Sequence, residues 1–204
     1  MEQDDIHFSL LGDERLLVWA QMERNAGGDA LGPVALVRWV EQGVQIRGIG
    51  TLRAPAKRPK LYLEPLDDSR AVLFAEGDVC PRGDEDLKLC ERALQLALLK
   101  EQIFSPLQVQ EGADAPVVAR IALSGQREEK GAGGALIRTS LRRKIKVDGG
   151  RLVMNESIRV ERCDANGEAC ELDARHDEPR VFVLDGSILR TEGGAWFTLD
   201  ARPR

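Results

Sequence analysis

The 204-residue chain has no long apolar run: the longest, Leu94 to Leu99, includes Gln95 and is far too short to cross a bilayer as a helix. A basic excess is missing too. The formal net charge is −5, which argues against a nucleic-acid coat or a general binder of anionic membrane surfaces. Aromatic residues make up only 4%, too few for the stacking platforms that hold single-stranded nucleic acid. No Gly-x-Ser-x-Gly elbow, Ser-x-x-Lys pair or Cys-x-x-Cys motif occurs. Gly131-Ala132-Gly133-Gly134 has no Lys-Ser/Thr after it and leads into a strand pattern, where a phosphate-binding loop leads into a helix. No cofactor is implied. What remains is ordinary globular composition, 43% hydrophobic and 31% charged.

The amino terminus, Met1-Glu2-Gln3-Asp4-Asp5, is acidic where a secretory leader is basic and then apolar. Two compartments stay open: the cytoplasm, or an exported location reached by a chain of which this is the mature part. The residue bias toward Arg, Ala, Gly and Leu suggests a GC-rich, bacterial genome.

The four cysteines bear on that choice. They fall into two local pairs, Cys80 with Cys90 and Cys163 with Cys170, as in a disulfide framework. The gaps of nine and six residues are too wide for zinc knuckles. Asn166-Gly167 predicts a type I′ hairpin turn, and counting outward from it sets Cys163 opposite Cys170. Facing residues have Cα atoms about 4.5–5.5 Å apart, inside the range a disulfide spans. By alternation the cysteines form a hydrogen-bonded pair on the wetter face with Arg159 and Glu161, open to reductant. Free buried thiols in a cytosolic protein are the alternative.

Fold class is expected to be mainly β with one packed helix (α+β), as a single domain over 1–204: antiparallel meanders forming a sandwich or a curled, barrel-like sheet. Strand patterns cover 15–22, 33–40, 44–52, 60–63, 70–75 and 117–123. After a flexible, charged loop over 124–134 they continue over 136–147, 151–163, 170–174, 180–184, 187–190 and 195–199. The helix is expected at about 84–102: Asp84 is a suitable N-cap, no Gly or Pro interrupts it, and Leu87, Cys90, Leu94 and Ala97 share a helical face.

Two clusters offer chemistry. Asp173, His176, Asp177 and Glu178 include metal-ligating types but match no ligand spacing, and the other histidine, His7, stands apart from them; no metal site is expected. In 138–146, alternation puts Arg138, Arg142, Lys144 and Lys146 on one face, a candidate anion-binding face, and Leu141, Ile145 and Val147 on the other. Arg143 breaks this pattern by falling on the apolar face. A solvated outer surface beside acids such as Glu156 or Glu161 is the expected reading. The function expected is a non-enzymatic binding or structural protein of the bacterial cell envelope, periplasmic or extracellular, with a protein or envelope component as partner. The alternatives are a hydrolase-like enzyme with paired carboxylates and a cytoplasmic accessory protein.

Overall fold

The computed structural model describes residues 5–12, 14–25, 27–79, 91–114, 116–118, 120–131 and 134–201. The chain is almost entirely strand. In order these are β1 (Ile6–Leu11), β2 (Arg15–Ala20), β3 (Glu23–Arg24), β4 (Asp29–Val40), β5 (Gly43–Pro55), β6 (Lys57–Pro65), β7 (Arg70–Val79), β8 (Glu91–Lys100) and β9 (Ile103–Pro106). There follow β10 (Gln108–Glu111), β11 (Val117–Val118), β12 (Ile121–Ala122), β13 (Ser124–Lys130), β14 (Leu136–Asp148), β15 (Arg151–Cys163), β16 (Cys170–Asp185) and β17 (Ile188–Thr191).

They form two sheets. The first runs β1-β2-β4-β5-β9-β8-β7-β6, with β3 beside β4 and β12 beside β8. It curls until β1 lies alongside β6, making a barrel-like wall. Leu17, Trp19, Val34, Leu36, Leu52, Leu61, Leu73, Ala97 and Phe104 fill its interior. The second sheet runs β11-β10-β17-β16-β15-β14-β13. Its apolar face (Ile145, Leu152, Met154, Phe182 and Leu189) packs on the outside of β7 and β8 through Val72, Phe74, Leu94, Leu96 and Leu98.

β7 and β8 are therefore buried on both faces, which explains the main correction. Residues 91–100 are a strand, not the second half of a helix, and 101–102 turn into β9. A strand covered on both sides has no polar alternation, so a short apolar run reads equally well as a buried helix. Leu94 and Ala97, expected on one helical face, belong to different cores. The stretch 84–90, with Cys90, and Cys80 lie outside the described residues, and so does their proposed bridge.

Other corrections are smaller. The supposed loop is strand as far as Lys130, paired in register with β14 from Ser124↔Arg142 to Lys130↔Leu136. The strands expected at 170–174 and 180–184 are one strand, β16. Residues 195–199 form no strand, although Phe197 is fully buried there.

The hairpin bridge is present. Cys163 pairs with Cys170 in the β15–β16 register, with an S–S distance of 2.01 Å. The turn type differs from expectation. Gly167 N–H donates to the Asp164 carbonyl at 3.0 Å, and Gly167 alone in the loop takes a left-handed conformation, φ 75°. Asp164 N–H donates to the Ala169 carbonyl at 2.9 Å, so the ladder bond falls one step from the cysteines. They occupy the closer, non-hydrogen-bonded position, with Cα atoms 4.0 Å apart. Asp164 Oδ1 accepts the Glu168 N–H at 2.9 Å, and this backbone bond holds its carboxyl below the ordinary range. The bridge lies on the face of Arg159 and Glu161 as expected: β15 keeps its register with β14 as far as Leu136↔Cys163, and the extra residue at the register shift falls on β16. It is not open to reductant, because Cys163 is 3% exposed and Arg138 Nη1, on the same face, donates to Cys170 Sγ at 3.4 Å.

Leu94, fully buried between the sheets, tests this account. Leu94→Asp should lower the unfolding free energy by about 3–5 kcal/mol, through a lost core side chain and a buried charge. Urea denaturation followed by far-UV circular dichroism measures it; an unchanged midpoint contradicts two-sided burial of β8.

Candidate functional site

Three features hold chemistry-bearing side chains. The first explains Arg143. Its side chain points into the second core, fully buried, against Glu156 on the neighbouring strand; Arg143 Nε donates to Glu156 Oε2 at 2.7 Å. Arg180 Nη2 donates to both Glu156 oxygens at 2.9 Å, and Arg180 Nη1 to Glu111 Oε1 at 2.9 Å. Further donors go to main-chain carbonyls: Arg143 to Ala122, Thr198 and Leu199, and Arg180 to Phe197. Arg180 Nε is the exception, buried with no hydrogen-bond partner among the described residues. Glu111 Oε2 in turn accepts the Leu199 N–H at 2.9 Å. Burial weakens the hold of Arg143 on its proton, and Glu156 offsets this. Two cations balance two anions, and the group fastens the irregular segment 194–199 to the sheet. This is an internal clamp rather than a reactive centre. It also corrects the expected place of Glu156, which lies on the buried face and not beside the basic residues.

The second feature is the expected basic face. Arg142, Lys144 and Lys146 are exposed along β14, and Arg138 is half-buried. With Ser124, Ser157, Arg159, Arg175 and Asp177 all but Lys146 line a groove of about 1130 Å³ on the outer face of β13–β16. Most of the cations on this outer face are engaged. Arg138 donates to Glu128 at 2.8 Å and to the Gly167 carbonyl at 3.2 Å. Lys146 pairs with Asp148, Arg159 with Glu161 and Arg175 with Asp177. His176 points to the opposite face from Asp177 and stacks on Trp196 at 5.0 Å, so the acidic group around it is not gathered. His7 bonds Gln21 and leans on Trp19.

The third feature was not legible in the sequence. β9 separates β5 from β8 for only a few residues: β5 pairs with it at Ile49 and Gly50, and β8 from Ala97 to Lys100. Where β9 ends at Pro106 the wall opens into a cleft of about 460 Å³. Leu31, Leu52, Leu96, Ala97 and Leu107 make it largely apolar, and Asp29, Arg53, Gln95 and Arg120 converge on it. Asp29 is 8% exposed, and its Oδ1 accepts no hydrogen bond. Gln95 Nε2 donates to Oδ2 at 3.4 Å, and Arg120 Nη1 lies 3.7 Å from Oδ1. Burial raises the Asp29 pKa above its ordinary 3.8, although Arg120 and Arg53 oppose the shift. Asp29 is the one carboxylate among the described residues lining the cleft.

No family model, curated protein or solved structure matches the chain.

Two outcomes follow from these geometries. Glu156→Gln leaves two buried guanidinium groups short of a counter-charge and should cost about 3–5 kcal/mol of stability, read by guanidinium denaturation. Asp29 keeps its proton to higher pH folded than unfolded. Its contribution is fully present below the unfolded value near 3.8 and is lost as pH rises through the folded value. Asp29→Asn should therefore remove that part of the pH–stability profile; calorimetric midpoints across the acid range check it, and two parallel profiles count against it.

Proposed function

We propose that this chain is a non-enzymatic binding protein of the bacterial cell envelope, and that the Asp29 cleft holds its ligand. The observation that carries the reading is a buried carboxylate oxygen with no hydrogen bond, beside a largely apolar cleft of about 460 Å³ on which Arg53, Gln95 and Arg120 also converge. Pockets of this size and lining, with a few convergent polar groups, are where small molecules bind. The ligand class follows from the lining. Apolar walls require an apolar body, and Asp29 Oδ1 requires a donor. Arg53 and Arg120 beside it disfavour a cation. A neutral amphiphile bearing a hydroxyl or amide N–H suits all three.

A binding role is favoured over hydrolysis because acid–base cleavage of a glycosidic or similar bond uses two carboxyl groups, and the lining presents Asp29 alone among the described residues. The Cys163–Cys170 bridge supports an oxidising compartment, where such bonds persist.

The test uses decanol, decylamine and decanoate as probes in isothermal titration. Decanol should bind most tightly. Thr51→Trp, which plugs the cleft from an exposed position, should abolish its binding, and Asp29→Leu should weaken it by roughly tenfold, the worth of one hydrogen bond to a charged group. Equal binding by wild type and both variants overturns the site. Fractionation of cells expressing the gene, with non-reducing peptide mapping of Cys163 and Cys170, checks the compartment; recovery in the cytosol as free thiols overturns it.

A further inference from the structure

The barrel has two apolar outer walls, and the described residues cover only one. The second sheet lies over β7 and β8. On the other wall, the outward residues of β1, β2, β4, β5 and β9 form three rows across the sheet. Phe8, Val18, Ala35, Ile49 and Ile103 make one. Leu10, Leu16, Val37 and Ile46 make the next, and Trp39 with Val44 the last. No polar side chain interrupts any row. Phe8 is 63% exposed, Leu10 79%, and Trp39, Ile46, Ile49 and Ile103 between 55% and 57%.

From these exposures and ordinary side-chain areas, the wall presents on the order of 1,000 Å² of apolar surface. The largest such patch on a monomer is about 300–600 Å², whereas a stable interface buries about 800 Å² per partner. We infer that a second copy of this chain covers this wall, in a two-fold dimer. An apolar sheet face is complementary to itself, as a two-fold interface demands. The charged rim fits the same occupant. Glu14, Arg15, Arg38 and Arg47 surround a recess at the barrel's end, and Glu41 sits at the tip of the β4–β5 hairpin next to Trp39 and Val40. A mixed rim finds unlike charges on its own copy. A membrane surface would bring Glu14 and Glu41 against anionic headgroups. This inference is independent of the Asp29 cleft.

Sedimentation velocity on the full chain, across a concentration series, tests it. The wild type should sediment as a dimer at micromolar concentration. Ile46→Glu with Ile103→Glu, both at exposed positions, should raise the dissociation constant by roughly a hundredfold or more, as expected for burying unpaired charges. As a second reading, acrylamide quenching of Trp39, taken as wild type minus the conservative variant Trp39→Phe, should fall as the dimer forms. A wild-type monomer at every concentration overturns the inference, and so does a dimer that the double variant leaves intact. A monomer that binds phosphatidylglycerol vesicles through this wall assigns it to lipid instead.

Discussion

Strands β7 and β8 belong to two cores at once, and most of the architecture follows from that. Leu73, Ala75 and Ala97 face the barrel interior, while Val72, Phe74, Leu94, Leu96 and Leu98 face the second sheet. Most of their apolar side chains are removed from water, so the pair contributes burial to both layers. The sheets join through side chains here, not through a shared ladder of hydrogen bonds. The groove on the outer face of β13–β16 and the cleft beside Asp29 both take their positions from this junction.

The ionic clamp completes the second layer. A charge buried without a partner is very costly, and Arg143, Glu156, Arg180 and Glu111 pair with one another and with the carbonyls of 197–199. The fit is close. A Cβ on Gly194 would stand 1.5 Å from the Arg180 guanidinium, so only glycine at that position leaves room for the buried cation. An irregular segment thus holds its place over the sheet without pairing as a strand.

Residues with local signals were read well. The hairpin of Cys163 and Cys170, the β14–β15 meander and the alternating faces of β14 depend on turn chemistry and a period of two, which sequence shows directly. The turn itself kept its centre and changed its type, and the register survived because the count is symmetric about the same bond. Arg143 stood out as an anomaly, yet its partners Glu111 and Arg180 lie 32 and 37 residues away along the chain and no local pattern marks them. β8 carries no strand signal, because two-sided burial erases alternation. The Asp29 cleft was invisible for a related reason: it exists only because β9 is short, and Asp29, Arg53, Gln95 and Arg120 meet there from four separate segments.

That shortness of β9 also shapes how the chain can be made. The second sheet is a meander from β13 to β17, each strand pairing with the next, so it can form from local contacts as it emerges. The barrel cannot. Strands β1 to β5 are synthesised with apolar residues on both faces, and their wall is joined to β8 only when β9, some fifty residues later, inserts Phe104 against Gly50. Until then the amino-terminal strands form an open-edged sheet with exposed apolar surface, a state open to aggregation. A four-residue strand thus closes the wall through contacts distant in the chain, the kind of pairing that forms slowly.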